Sequence, residues 1–198
     1  MTEAIRMWAI CMFSTAVGAG IVFATRSQSG VPQSKPVVLN VPIETVIPPS
    51  RFPGILPLKS PILVEFSDYQ CPPCRSLEDS LSKESLGLKR VIRHLPLKMH
   101  RWAYDSAVIA EKARFAGNFD SVSRELFSVA LDKKTLDKIS VKYSITSKMT
   151  EQAEKVVNED KRTADELKLR GTPSMILCLP DGKIMQIQSI SQLKGLLE

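Results

Sequence analysis

The sequence predicts an α/β domain in which one long helical block interrupts the strands of a sheet. Three observations carry this reading. An apolar, β-rich run at 61–69 leads directly into a leucine-periodic helix. A second apolar strand at 171–180 is followed by an Asp181-Gly182 turn and a returning strand. Between them, from about 100 to 168, apolar residues recur at helical spacing with no strand signal. The 198 residues and 43% hydrophobic content allow one domain with an insertion.

The chain begins with an uncharged stretch, "MWAICMFSTAVGAGIVFA", from Met7 to Ala24, between Arg6 and Arg26. Its length is near the lower limit for a membrane-spanning helix, roughly 17–25 residues. It exceeds the apolar core of a signal peptide, roughly 7–15 residues. Residues 1–24 are expected to be a single-pass membrane anchor or a cleaved signal, and either sends the rest of the chain across a membrane. Cys11 falls inside this run and reads as a small hydrophobe. Residues 25–57 hold seven of the thirteen prolines. That spacing predicts an extended, helix-free linker with polyproline-like stretches, in which 37–48 pairs only briefly as an edge strand.

The domain is expected over 58–198. Strand 61–69 carries one acid, Glu65. In the helix that follows, Leu77, Leu81 and Leu86 recur at helical spacing and Gly87 is a stop. Residues 89–97 form a second strand. Helices are expected at 102–117, 119–131 and 133–145, with one or two more over 147–169. The closing elements are strands 171–180 and 183–189 and a terminal helix. Net charge is +6, but bases and acids alternate, as in "EDKRTADELKLR" at 159–170. This is a solvated surface rather than a nucleic-acid footprint.

The chemistry concentrates in "CPPC", Cys71 to Cys74, at the strand-to-helix junction. Such a pair is half of a zinc site, an inert bridge or a redox dithiol. Zinc needs two further ligands. Cys178 lies inside an apolar strand, and His94 and His100 form no ligand pattern with it. No metal or other cofactor is expected. A helix start favours the redox reading, because unpaired N–H groups and the macrodipole stabilise a thiolate. Cys71 is then the attacking sulfur, and Cys74, one turn in, resolves the mixed disulfide. Glu65, six residues upstream, is placed to take the proton of Cys74. Thr172-Pro173, at the start of a strand, favours a tight and cis-compatible turn.

"VEFSDYQCPPC", a helical insert and then "RGTPS" together resemble the DsbA-type branch of the thioredoxin superfamily, over about 58–198. The resemblance implies a thioredoxin-like fold with a helical insertion. It assigns Cys71 as nucleophile, Cys74 as resolving cysteine, Glu65 as buried acid and Pro173 as cis-proline. Thr172 would offer its backbone to an extended substrate peptide. The implied partners are cysteine-containing exported polypeptides and a membrane redox partner, with the domain facing the periplasm or cell exterior. One departure stands out. Oxidising members carry a histidine before the second cysteine, where this chain has Pro73. Pro72 and Pro73 also withhold two N–H donors, so a more reducing couple is expected. Two other functions remain in view: a dedicated reductase for cofactor or metal-site assembly, and a non-catalytic peptide-binding module.

Overall fold

Six consecutive residues of the 61–69 run, Ile62–Ser67, form the strand on which the sheet is assembled, and all six are buried. The computed structural model describes residues 35–83 and 86–198. The expected apolar helix at 7–24, Cys11 and the first part of the linker lie outside these residues. The described elements are β1 (Val37–Val38), α1 (Ile43–Val46), β2 (Ile62–Ser67), α2 (Pro72–Lys83), β3 (Lys89–His94), α3 (Ala103–Phe115), α4 (Phe119–Ser128), α5 (Lys133–Lys142), α6 (Thr150–Glu166), β4 (Ser174–Cys178), β5 (Ile184–Ile187) and α7 (Ile190–Leu197).

The sheet order is β1-β5-β4-β2-β3. β2 runs parallel to β3 and antiparallel to β4. A strand covered on both faces reads as a continuous apolar run rather than an alternating one, which is the pattern seen at 61–67. Alternation then sorts its side chains. Ile62, Val64 and Phe66 pack on one face with Val46, Ile47, Phe52 and Leu167. Leu63 packs on the other with Leu77 of α2 and Leu193 of α7. Glu65 and Ser67 share the Leu63 side, under α2. The insert α3–α6 follows β3. Residues of α3, α4 and α5, among them Ala110, Leu126 and Ile139, form one cluster with Tyr69, Cys71 and Cys74.

The proline-rich stretch departs from the expected spacer. From Val37 on it is folded onto the domain. β1 pairs with β5, and Leu39 N–H donates to Ile184 O at 2.8 Å. A single helical turn, α1, fits between Pro42 and Pro48. Val46 and Ile47 are fully buried. Pro42 sits at the N-cap, where a helix needs no N–H from it, so proline punctuates this segment without preventing structure. Apolar side chains between the prolines supply the reason to dock.

A buried ionic cluster joins this segment to the insert. Asp160 of α6 accepts from Arg51 Nη1 at 2.6 Å, from Arg93 Nε at 2.6 Å and from His94 N–H at 2.8 Å. Arg93 Nη1 also donates to the Thr45 carbonyl of α1 at 2.6 Å. Glu111 of α3 pairs with Arg51, with His94 Nε2 at 2.8 Å and with Arg114 Nε at 3.0 Å. Burial opposes ionisation of Glu111, yet His94 and Arg51 hold its carboxyl far below the usual range. Arg114 Nη2 covers the Ile92 carbonyl at 3.1 Å. With Asp160 on His94 N–H, two outward backbone groups of edge strand β3 are occupied by side chains.

Removing one partner from such a cluster strands charges that water cannot reach. Asp160→Ala should cost about 3–5 kcal/mol, read as a lower urea midpoint. Asp137→Ala, which breaks the exposed Lys133–Asp137 pair, should cost less than about 1 kcal/mol in the same measurement.

Candidate active site

Cys71 ends the β2–α2 connection. Its N–H donates to the Asp68 carbonyl at 3.1 Å, and its own carbonyl accepts from Arg75 N–H at 3.2 Å. That second bond makes Cys71 the N-cap of α2. Pro72 and Pro73 occupy the first two helical positions, whose N–H groups are unpaired in any helix. The two prolines therefore cost the helix no hydrogen bond. What they remove is the pair of free donors nearest Cys71. Both rings are exposed.

Cys71 is 4% exposed and Cys74 is fully buried, and neither is in a disulfide. Cys71 Sγ donates to the Thr172 carbonyl at 3.3 Å, across 101 residues of sequence. The Thr172–Pro173 peptide is cis. The antiparallel pairing of β4 with β2 brings the 171–173 loop to the dithiol. The structure thus brings Cys71, Thr172 and Pro173 to one place, with Cys74 one turn into the same helix.

Glu65 is fully buried. Its Oε2 accepts from Arg90 Nε at 3.0 Å, and Arg90 Nη1 pairs with Glu78 of α2. Burial raises the proton affinity of the Glu65 carboxyl, and Arg90 opposes that rise. Burial likewise pushes the Cys74 thiol well above the usual range. Ser67, the Asp68 backbone and Thr172 act against that shift, and the Glu65 charge adds to it. Glu65 and Cys74 therefore sense each other, and ionisation of both at once is disfavoured.

Sequence reasoning did not find Arg90 or Glu78. Arg90 reaches the α2 side because parallel register sets it beside Leu63, and no local signal reports which strand lies next to which. Glu78 had a readable signal: it follows Cys71 by seven residues, two turns along the same helix face. Asp68 was also missed. Its buried carboxylate accepts from Gln70 N–H at 2.7 Å, Leu97 N–H at 2.9 Å and His100 Nδ1 at 2.7 Å. It ties the 95–100 loop to the turn before Cys71. Cys178 lies on the opposite face of the sheet, among Ile62 and Ile184. Burial pushes its thiol up to about 12, and it serves as a small core side chain.

No protein-family model matches the chain. Solved structures share its fold. Pseudomonas aeruginosa DsbA2 aligns with TM-score 0.55 and 20% identity, over 69% of this chain and 86% of that one. The thiol-disulfide exchange protein alpha-DsbA2 from Wolbachia pipientis aligns with TM-score 0.56 and 18% identity, over 70% and 80%. A periplasmic thioredoxin-like protein from Salmonella enterica serovar Typhimurium gives 0.56 and 22%, over 69% and 82%. The chain thus shares the fold of these DsbA-type structures. Among curated proteins, the Na(+)/H(+) antiporter NhaA 1 of Mycobacterium sp. (strain KMS) is 29% identical over 131 residues, 59% of this chain. The chain spans 21% of that relative's length.

Two outcomes follow from the geometry. Of the three described cysteines, iodoacetamide at neutral pH should label Cys71 in the reduced native protein, while Cys74 and Cys178 react only after unfolding; peptide mass spectrometry reads the sites. The second concerns pH. A carboxyl with a raised folded-state pKa keeps its proton longer in the native than in the unfolded chain, so its contribution to stability falls as pH rises. For Glu65 the fall begins in the ordinary carboxylate range and continues through the raised folded-state value. The stability of the wild type minus that of Glu65→Gln should decline across that window in urea titrations at stepped pH.

Proposed function

We propose that the protein is a thiol–disulfide oxidoreductase acting on cysteine-containing polypeptides, with Cys71 attacking and Cys74 resolving. The observation that carries this reading is the placement of Cys71 Sγ at the start of α2, 3.3 Å from the Thr172 carbonyl, with buried Cys74 and Glu65 behind it. An inert structural pair needs neither a buried acid nor a neighbouring peptide carbonyl. The likeness to DsbA-type structures supports the same chemistry at the level of the fold.

In the reducing direction, Cys71 thiolate attacks a substrate disulfide. One substrate sulfur leaves as thiolate and the other joins Cys71 as a mixed disulfide. Cys74 then attacks Cys71 Sγ, its proton passes to Glu65, and the second substrate sulfur departs. Two electrons have moved from the dithiol to the substrate. Oxidation of a substrate dithiol is the same path reversed. Thr172, beside Cys71, offers backbone to an extended peptide by strand addition. Pro73 in the place of a thiolate-stabilising histidine favours the reducing direction, which keeps a dedicated reductase in view.

The natural substrates on this reading are exported polypeptides, recharged by a membrane redox partner. Residues 7–24 would anchor the domain in a bacterial cytoplasmic membrane, facing the periplasm or cell exterior, or be cleaved to release it there. Among the described residues, no helix is long and apolar enough to cross a membrane.

Insulin reduction with dithiothreitol as electron source tests the activity. Wild type should accelerate precipitation, and Cys71→Ser should return it to the uncatalysed rate. No acceleration by wild type would favour a peptide-binding module. Pro73→His should move the 71–74 couple in the oxidising direction, measured against glutathione redox buffers. About 30 mV corresponds to roughly 1.4 kcal/mol for this two-electron couple. An unchanged midpoint would mean that the prolines do not tune the site.

A further inference from the structure

Three buried oxygen atoms, Glu65 Oε1, Ser67 Oγ and Thr172 Oγ1, make no hydrogen bond of normal geometry, and all three residues act on the Cys74 thiol. Buried polar atoms in folded proteins are nearly always paired, so each exception needs a reason. Two of them, on Glu65 and Ser67, come from one strand. Residues two apart on β2 point to the same face, here the face under α2. Ser67 is 3% exposed and Glu65 is fully buried. The Ser67 side chain is near enough to lower the proton affinity of both the Glu65 carboxyl and the Cys74 thiol.

We infer that Ser67 is the proton relay between Cys74 and Glu65. A hydroxyl suits this place because it donates one hydrogen and accepts others, and its hydrogen rotates freely. A small shift of its side chain would let it accept from Cys74 S–H while donating to Glu65 Oε1. The other carboxylate oxygen, Oε2, is already held by Arg90 at 3.0 Å, so the free oxygen is the receiving one. Thr172 Oγ1 belongs to the loop before β4, not to the strand that carries Glu65.

The inference rests on the dithiol reading above and adds a residue to its resolving step. As Cys74 Sγ forms its bond to Cys71 Sγ, the bond between Cys71 and the substrate sulfur breaks. The electron pair of that bond leaves on the substrate as thiolate. The Cys74 proton moves to Ser67 Oγ, and the Ser67 proton moves to Glu65 Oε1. Ser67 ends unchanged, Glu65 ends neutral, and the dithiol has become a disulfide. Direct transfer would need the thiol and the carboxyl to meet with nothing between them, and Glu65 is anchored toward Arg90 instead.

Single-turnover stopped flow tests the relay in the full chain. A chromophoric aryl disulfide loads Cys71, and aryl thiolate release is followed in two phases, first attack and then resolution. Ser67→Ala removes one oxygen from a buried site and should slow resolution about tenfold or more, with first attack unchanged. Ser67→Thr keeps the hydroxyl and should resolve within about threefold of wild type, a rescue that a merely structural role does not predict. Ser67→Ala combined with Glu65→Gln should be no slower than the slower single variant, because both lie on one path. Resolution at the wild-type rate in Ser67→Ala would overturn the relay and assign the transfer to solvent. So would losses that multiply in the double variant. Failure of wild type to form the mixed disulfide at all would instead defeat the oxidoreductase reading, so the two failures are separate.

Discussion

The carboxylate of Asp160 holds together three parts of the chain that are far apart in sequence. It receives Arg51 from the proline-rich segment, Arg93 from β3 and the His94 backbone N–H, all from a position on α6 with essentially no exposure. Neutralising a buried carboxylate with two guanidiniums and an amide is the condition on which such a group is tolerated. The consequence is registration. With Asp160 in place, α6 crosses the far face of the sheet, the 45–52 segment closes against Phe66 and Val64, and the insert returns at the position where β4 must begin. The start of β4 sets the place of Thr172, and Thr172 meets Cys71.

The two faces of β2 divide the labour. One face buries Ile62, Val64 and Phe66 against the proline-rich segment and α6, and contributes packing. The other carries Leu63, Glu65 and Ser67, and turns from apolar to polar toward the dithiol end. The polar end is expensive in stability, since it holds an acid whose free oxygen has no partner. On the proposed function, that cost is the condition for keeping a proton acceptor beside the dithiol. Arg90 and Glu78 limit the cost by pairing the other oxygen and each other.

The CPPC motif is read differently once its helix is seen. At the level of sequence the prolines look like a restraint on the helix. In the structure they take the two positions that have no helical hydrogen bond to lose. Their effect falls on the solvent-facing side of Cys71, where the donors they lack would otherwise meet a thiolate. On the proposed dithiol reading, helix stability and redox poise would be set separately at the same two residues.

The sequence by itself determined the order of the elements, the dithiol and its helix, the burial of Glu65 and the Thr172-Pro173 loop, because each is written in local periodicity or in a short motif. The edge pairing expected within 37–48 is β1, but the sequence misled over the rest of 41–57, where proline density suggested a spacer and the apolar residues between the prolines docked on the sheet. Only tertiary structure decided what stands around the site. Arg90 arrives through parallel register, Asp68 reaches the 95–100 loop through two hydrogen bonds, and Ser67 acquires meaning from the thiol above it. Glu111, Arg51 and His94 read as scattered surface charges and a lone histidine until folding gathers them into one cluster. The reason is the same in each case. A period or a motif is a property of neighbours along the chain, whereas an ion pair or a proton path depends on which distant backbones lie side by side.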